Sequence, residues 1–240
     1  MKLSVYSYTN QGGRAHNEDS LRWNCDGARG VFVLADGLGG HACGQVASRL
    51  AVDALCPEAL DPLPGKEELL ERFQAANTRI LEQQAQPGQE DMRTTAVALS
   101  LGESGAAWAH IGDSRLYRFS GGALSCLTRD HSVTYMKYLG GEISYMDVYH
   151  DDDRSSLLRV LGRAPCHPEG GEGPVQAGDA FLLCSDGFWE FVYNEEMLVD
   201  WLKSSSPEQW ARRMLLRLIR RTPPGNDNFS LITIFAEGSL

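Results

Sequence analysis

Two apolar runs in this sequence end in the dipeptide Asp-Gly. Val31-Phe32-Val33-Leu34-Ala35 leads into Asp36-Gly37, and Phe181-Leu182-Leu183-Cys184-Ser185 leads into Asp186-Gly187. A third acid, Asp227, stands just before the apolar run Phe229-Ser230-Leu231-Ile232-Thr233-Ile234. Continuous apolar runs of this length read as strands buried on both faces. A carboxylate at the mouth of such a strand is costly unless a cation meets it. The fold must therefore cover both faces of its sheets and gather those acids around positive charge. A divalent metal shared by residues distant in sequence is the simplest solution.

The remaining pattern fills in the layers. Strands are expected at 3–9, 20–24, 30–35, 94–101, 106–111, 115–119, 123–127, 178–185 and 229–236. Helices are expected at 44–56, 66–86, 195–203 and 207–221, the last opened by Pro207 and stopped by Pro223-Pro224-Gly225. Residues 130–160 are the least regular and read as a short helix plus a surface flap near 134–156. This order has no run of alternating strand–helix units, which argues against a Rossmann-type sheet. It favours sheet on sheet with helices outside, an α+β sandwich. At 240 residues without a Pro/Gly/Ser-rich divider, one domain over 1–240 is expected.

Composition narrows the function classes. The formal net charge is −10, which argues against nucleic acid as the main partner. No apolar run approaches membrane-spanning length, and the first residues lack a signal-peptide core. The chain ends just after its last strand, so no anchoring tail is expected. Six cysteines form no C-x-x-C pair, which reads as reduced thiols in the cytoplasm.

Glycine after Asp lets backbone approach a bound ion closely, so the Gly37 carbonyl could join the Asp36 carboxylate as a ligand. Carboxylate, carbonyl and water ligands suit Mg²⁺ or Mn²⁺. A lone Asp-Gly is more often simply a turn, but two, each ending an apolar strand, point further. Arg14 lies in one loop with Glu18 and Asp19, and Arg is suited to bidentate phosphate recognition. Asp113, in Ile111-Gly112-Asp113-Ser114-Arg115, repeats the strand-to-acid pattern more weakly, with a hairpin turn as the plain alternative. Among six histidines, His41 stands out in the Gly-rich turn after Asp36, and His131 reads as a cap of the following helix. The absence of H-E-x-x-H and of any His-Cys cluster argues against zinc. Asp151-Asp152-Asp153 lacks calcium-loop spacing and reads as a solvated flap.

Taken in order, these pieces resemble the metal-dependent protein serine/threonine phosphatases, the PPM or type 2C family. The resemblance rests on Arg14…Asn17-Glu18-Asp19, Ala35-Asp36-Gly37-Leu38-Gly39-Gly40-His41, Thr94-Thr95-Ala96 and Gly112-Asp113-Ser114-Arg115. It continues through Leu127-Thr128-Arg129-Asp130-His131-Ser132, Leu161-Gly162, Ser185-Asp186-Gly187 and Asn226-Asp227-Asn228. It spans residues 14 to 228 and looks like a compact bacterial member. It implies a four-layer α-β-β-α sandwich, two antiparallel sheets flanked by helices, with the metal cleft at one end.

The family pattern implies roles residue by residue. Asp36 bridges two Mn²⁺ or Mg²⁺ ions. Asp186 and Asp227 complete one of them, and the Gly37 carbonyl the other. Glu18 and Asp19 sit nearby as direct or water-mediated ligands, Asp113 with Asp186 matches a third site, and Arg14 binds phosphate. A hydroxide bridging the two ions attacks phosphorus directly. Leu38 stands where eukaryotic members carry a histidine, which leaves His41 or a metal-bound water as the proton donor. The implied partners are phosphoserine and phosphothreonine proteins, including a Hanks-type Ser/Thr kinase and its targets, with type VI secretion control as one setting. The chain is expected to act as a monomer. A regulator-specific phosphatase in a partner-switching circuit and a pseudophosphatase binding module are the alternatives, and the intact acid set weighs against the second.

Overall fold

The computed structural model describes residues 1–38, 43–103 and 105–238. Strand β1 spans Lys2–Asn10, β2 Asp19–Cys25 and β3 Gly30–Leu38. Helices α1 (Cys43–Leu55) and α2 (Lys66–Gln83) follow, then β4 (Arg93–Thr94), β5 (Ala96–Gly102), β6 (Gly105–Ile111), β7 (Arg115–Ser120) and β8 (Ala123–Cys126). The flap region holds α3 (Val133–Leu139) and a 3₁₀ turn at Tyr145–Tyr149. The chain then runs through β9 (Glu169–Gly173), β10 (Ala180–Cys184), α4 (Asp186–Trp189), α5 (Asn194–Leu202), α6 (Pro207–Arg221) and β11 (Phe229–Glu237).

The strands form two antiparallel sheets, ordered β1-β11-β10-β7-β8 and β2-β3-β5-β6-β9. Alternation along each strand explains the four layers. On β3, Phe32 and Leu34 face the other sheet and meet Leu99, Phe181, Leu183 and Ile232 in the central core. Val31, Val33 and Ala35 point the other way, onto Ala47, Ala51, Leu69 and Phe73 of α1 and α2. On β10, Phe181 and Leu183 face inward, whereas Leu182 and Cys184 pack under Trp210, Met214 and Leu218 of α6. Both faces of each sheet are buried, as the unbroken apolar runs require. The expected α-β-β-α sandwich is the observed fold.

Five local expectations need correction. Asp36 and Gly37 lie within β3, not beyond it, because β4 pairs with Gly37 and Leu38 and prolongs the ladder. Asp186 and Gly187 open the single-turn helix α4. Strand β9, Glu-Gly-Gly-Glu-Gly, has no apolar residue to signal it. Its glycines are required because a Cβ on Gly171 would lie 2.5 Å from Trp108, while one on Gly170 would lie 2.7 Å from the Trp108 carbonyl oxygen. The cap of α3 is Ser132, whose hydroxyl accepts the Tyr135 amide, rather than His131. Asp151 is not merely solvated, since its carboxylate accepts from Lys137 Nζ at 3.0 Å and from the Asp153 amide, and so ties the flap to α3.

Candidate active site

Acids from both sheets converge at one end of the sandwich. The second sheet supplies Asp19 at the start of β2, Asp36 on β3 and Asp113 in the turn after β6. The first sheet supplies Asp186 after β10 and Asp227 before β11. A cleft of about 550 Å³ opens between them, and Asp36, Asp113, Asp186, Asp227, Glu18 and Gly37 all line it. Asp19 lies just behind that wall and is buried. The sequence-designated acids are thus brought together. Gly37 faces the same cleft, as does the Leu38 that replaces the eukaryotic histidine. His41 lies outside the described residues.

Backbone geometry holds each acid in place. Thr94 Oγ1 and the Thr95 amide both donate to the Asp36 carbonyl, at 2.7 and 2.8 Å, and the Asp36 amide donates to Thr95 Oγ1 at 3.3 Å. Gly37 packs against Gly44, where a Cβ would sit 2.2 Å from the Gly44 carbonyl oxygen. Gly187 packs against the strand entrance of β11, where a Cβ would sit 2.1 Å from the Asn228 carbonyl oxygen. Close backbone approach therefore explains both glycines after the acids. Asn228 organises the opposite rim: its Oδ1 accepts the Glu18 amide, and its Nδ2 donates to the carbonyls of Gln11 and His16.

The electrostatics call for a cation. Burial comes first in pushing the Asp36 carboxyl well above its ordinary range, followed by the charges of Asp186, Asp19 and Asp113. Asp113 is raised by burial and then by Asp186 and Asp130. Asp186 is raised by burial and then by Asp227, and Glu18 by the same two causes. Burial lifts Asp19 to about 7 against hydrogen bonds from Ser230 and Ser185. Asp19 Oδ2 accepts from Ser185 Oγ at 2.9 Å, yet its Oδ1 is buried without a hydrogen-bond partner. Crowded, mutually opposed carboxylates with an orphaned oxygen fit hard divalent cations.

Arg14 reaches the rim from the loop before β2. Its Nη2 donates to Asp227 Oδ2 at 2.8 Å, with more than half of the side chain exposed. Its free edge is available to a ligand entering the cleft. Sequence reasoning missed several neighbours. His16, Ser155 and Leu157 also line the cleft, the last two from the flap. Trp189 donates its indole N–H to the Asp113 carbonyl at 2.9 Å. A buried Trp one turn beyond Asp186 must find an acceptor, and that was the available signal.

The α-β-β-α sandwich thus brings acids of both sheets to one mouth. A family model described as protein phosphatase 2C matches residues 9–215. The serine/threonine protein phosphatase PstP of Mycobacterium tuberculosis is 34% identical over 218 residues, covering 89% of this chain and 41% of its own. This chain therefore spans less than half the length of that relative. The Mycobacterium tuberculosis PstP crystal structure matches with a TM-score of 0.89 at 30% identity, over 99% of this chain and 100% of that one. The catalytic domain of PstP in complex with two manganese ions matches with a TM-score of 0.85 at 29% identity, over 99% of each chain. PppA of Pseudomonas aeruginosa, described as a key regulatory component of the type VI secretion system, matches with a TM-score of 0.83 at 29% identity, over 98% of each. This chain belongs to the protein phosphatase 2C family.

Proposed function

We propose that this chain, as one catalytic domain over 1–240, hydrolyses phosphoserine and phosphothreonine in proteins with the help of Mn²⁺ or Mg²⁺. The observation that carries this reading is the convergence of Asp36, Asp113, Asp186 and Asp227 on one cleft with Arg14 at its rim. Asp36, Asp186, Asp227 and the Gly37 carbonyl would hold two ions, with Glu18 and Asp19 beside them. Asp113 with Asp186 would hold a third. The manganese-bound PstP domain supports the metal and a count of two. Bound divalent ions lower the pKa of water to near neutrality and offset phosphoryl charge.

The chain's own residues orient the substrate. The Arg14 guanidinium presents a planar fork of donors that matches two phosphoryl oxygens, and Asp227 aims it at the cleft. Thr94 and Thr95 fix the Asp36 peptide, so its carboxylate needs no reorganisation when charge develops nearby. The half-open cleft admits a phosphorylated side chain from a protein surface, and Ser155 and Leu157 form its flap-side wall.

The likeness to PppA favours a role in type VI secretion control, and the family pattern implies a Ser/Thr kinase as the opposing activity. The six cysteines, read as reduced thiols, favour a cytoplasmic setting, and among the described residues no helix is long and apolar enough to cross a membrane. The test is hydrolysis of a phosphothreonine peptide before and after chelation. Activity should vanish with chelator and return with Mn²⁺. Asp36→Asn should lose at least about a hundredfold in turnover, the scale on which one preorganised polar group acts. Turnover that survives complete chelation, or persists in the folded variant, would reject this reading.

A further inference from the structure

Asp113 sits on a turn gripped from every side. Its carbonyl accepts from Trp189, Ser114 Oγ lies 2.8 Å from Thr95 Oγ1, and Arg115 is clamped by Asp130. Gly112, the residue before it, has φ +99°, and a Cβ there would lie 2.6 Å from Thr95. That peptide is bound twice by one residue. The His131 amide donates to the Gly112 carbonyl at 2.9 Å, and the Gly112 amide donates to His131 Nδ1 at 3.1 Å.

The ring of His131 is itself held in place. It is buried and stacks on His110, with centroids 4.7 Å apart and planes 13° from parallel. Its Nε2 lies 3.4 Å from Glu169 Oε1 on the edge strand β9. A neutral imidazole that accepts at Nδ1 carries its proton on Nε2, which lies 3.4 Å from both Glu169 Oε1 and Arg159 Nη1. His110, His131 and Glu169 approach closely enough to ligate a cation. The hydrogen bond from Gly112 rules that out, because it leaves no lone pair on Nε2. Arg159 already neutralises Glu169, with Nη1 2.7 Å from Oε1.

We propose that His131 is a positioning residue, fixing through Nδ1 the peptide that carries Asp113 into the cleft. The proposal rests on Asp113 being a metal ligand, as inferred above. Outer-shell partners of this kind tune metal affinity by fixing the orientation of the ligand.

Long-range ¹H–¹⁵N spectra of the metal-free, labelled wild-type chain should report the Nε2–H tautomer of His131. Amide exchange should report a protected Gly112. H131N keeps a side-chain oxygen near the position of Nδ1, whereas H131Q moves it out of reach. H131Q should weaken Mn²⁺ binding, read by calorimetric titration, by about tenfold or more and speed exchange at Gly112. H131N should stay within about threefold of wild type in Mn²⁺ affinity, well inside that range. An Nδ1–H tautomer, or equal effects of the two variants, would overturn the proposal. D113N serves as the control. If it leaves Mn²⁺ affinity unchanged, the ligand reading of Asp113 fails, and the tautomer and the exchange at Gly112 alone decide the role of His131.

Discussion

Asp19 and Asp36 stand directly opposite each other across the antiparallel pair β2 and β3. Like charges at that spacing oppose pairing of the strands. Asp19 is buried, and Asp36 opens onto the cleft. Two carboxylates are thus locked in cross-strand register at the site where a cation is needed. The register cannot slip to relieve them, because a one-residue shift would turn Phe32 and Leu34 out of the central core.

The metal-free chain should lose stability as pH rises. The Asp19 carboxyl is raised from 3.8 to about 7, chiefly by burial. The folded state therefore binds more protons than the unfolded state between those values, and stability falls across that window. Calorimetry of chelator-treated protein should give a lower Tm at pH 7.5 than at pH 5. Saturating Mn²⁺ should raise Tm most at the higher pH, where the carboxylates are ionised. A Tm that climbed with pH in the absence of metal would contradict the crowded-carboxylate account.

Arg14→Ala should separate stability from catalysis. The Arg14–Asp227 pair is largely exposed, so its loss should cost only ~0–1 kcal/mol in denaturant unfolding. The specificity constant kcat/KM for a phosphopeptide should fall by about a hundredfold, as expected for a charge-stabilising donor. Loss of stability without loss of turnover would make Arg14 a structural residue.

Asp130→Ala should do the opposite. Arg115 is buried, donates to Asp130 at 2.6 Å and lies 3.5 Å over the Trp189 ring. Removing the carboxylate strands a buried guanidinium, which costs about 3–5 kcal/mol. Urea unfolding should show that loss, and a drop under about 1 kcal/mol would mean the pair is not desolvated.

Gly187→Ala tests the second Asp-Gly. The added methyl would meet the Asn228 carbonyl oxygen at 2.1 Å, backbone against backbone. We expect a stability loss of about 1–3 kcal/mol together with weaker Mn²⁺ binding, because Asp186 and Asp227 flank that contact. Unchanged unfolding and metal titration would show that the backbone there yields freely.

Much of the site was legible because burying charge is expensive. Asp36, Asp186 and Asp227 interrupt apolar runs, and such interruptions need a reason. Asp113 was legible by the same logic, more weakly, and Arg14 by the suitability of its guanidinium for phosphate. Strand β9 was not, since its pattern is set by the Trp108 ring across the ladder and not by its own residues. Helix α4 was hidden because four residues carry no periodicity, and Asp-Gly reads first as a turn.

From residue order alone came two packed sheets with helices outside, through unbroken apolar strands and amphipathic helices, and the acids that had to share a cation. Tertiary structure decided which backbone atoms touch: that Asp19 faces Asp36, that Asn228 closes on Gly187, and that His131 takes the Gly112 amide. Burial follows local periodicity and so is written in one dimension. Cross-strand register and long-range contacts join segments more than 200 residues apart, as Glu18 and Asn228, 210 apart, are joined, and exist only once both sheets have closed around the core.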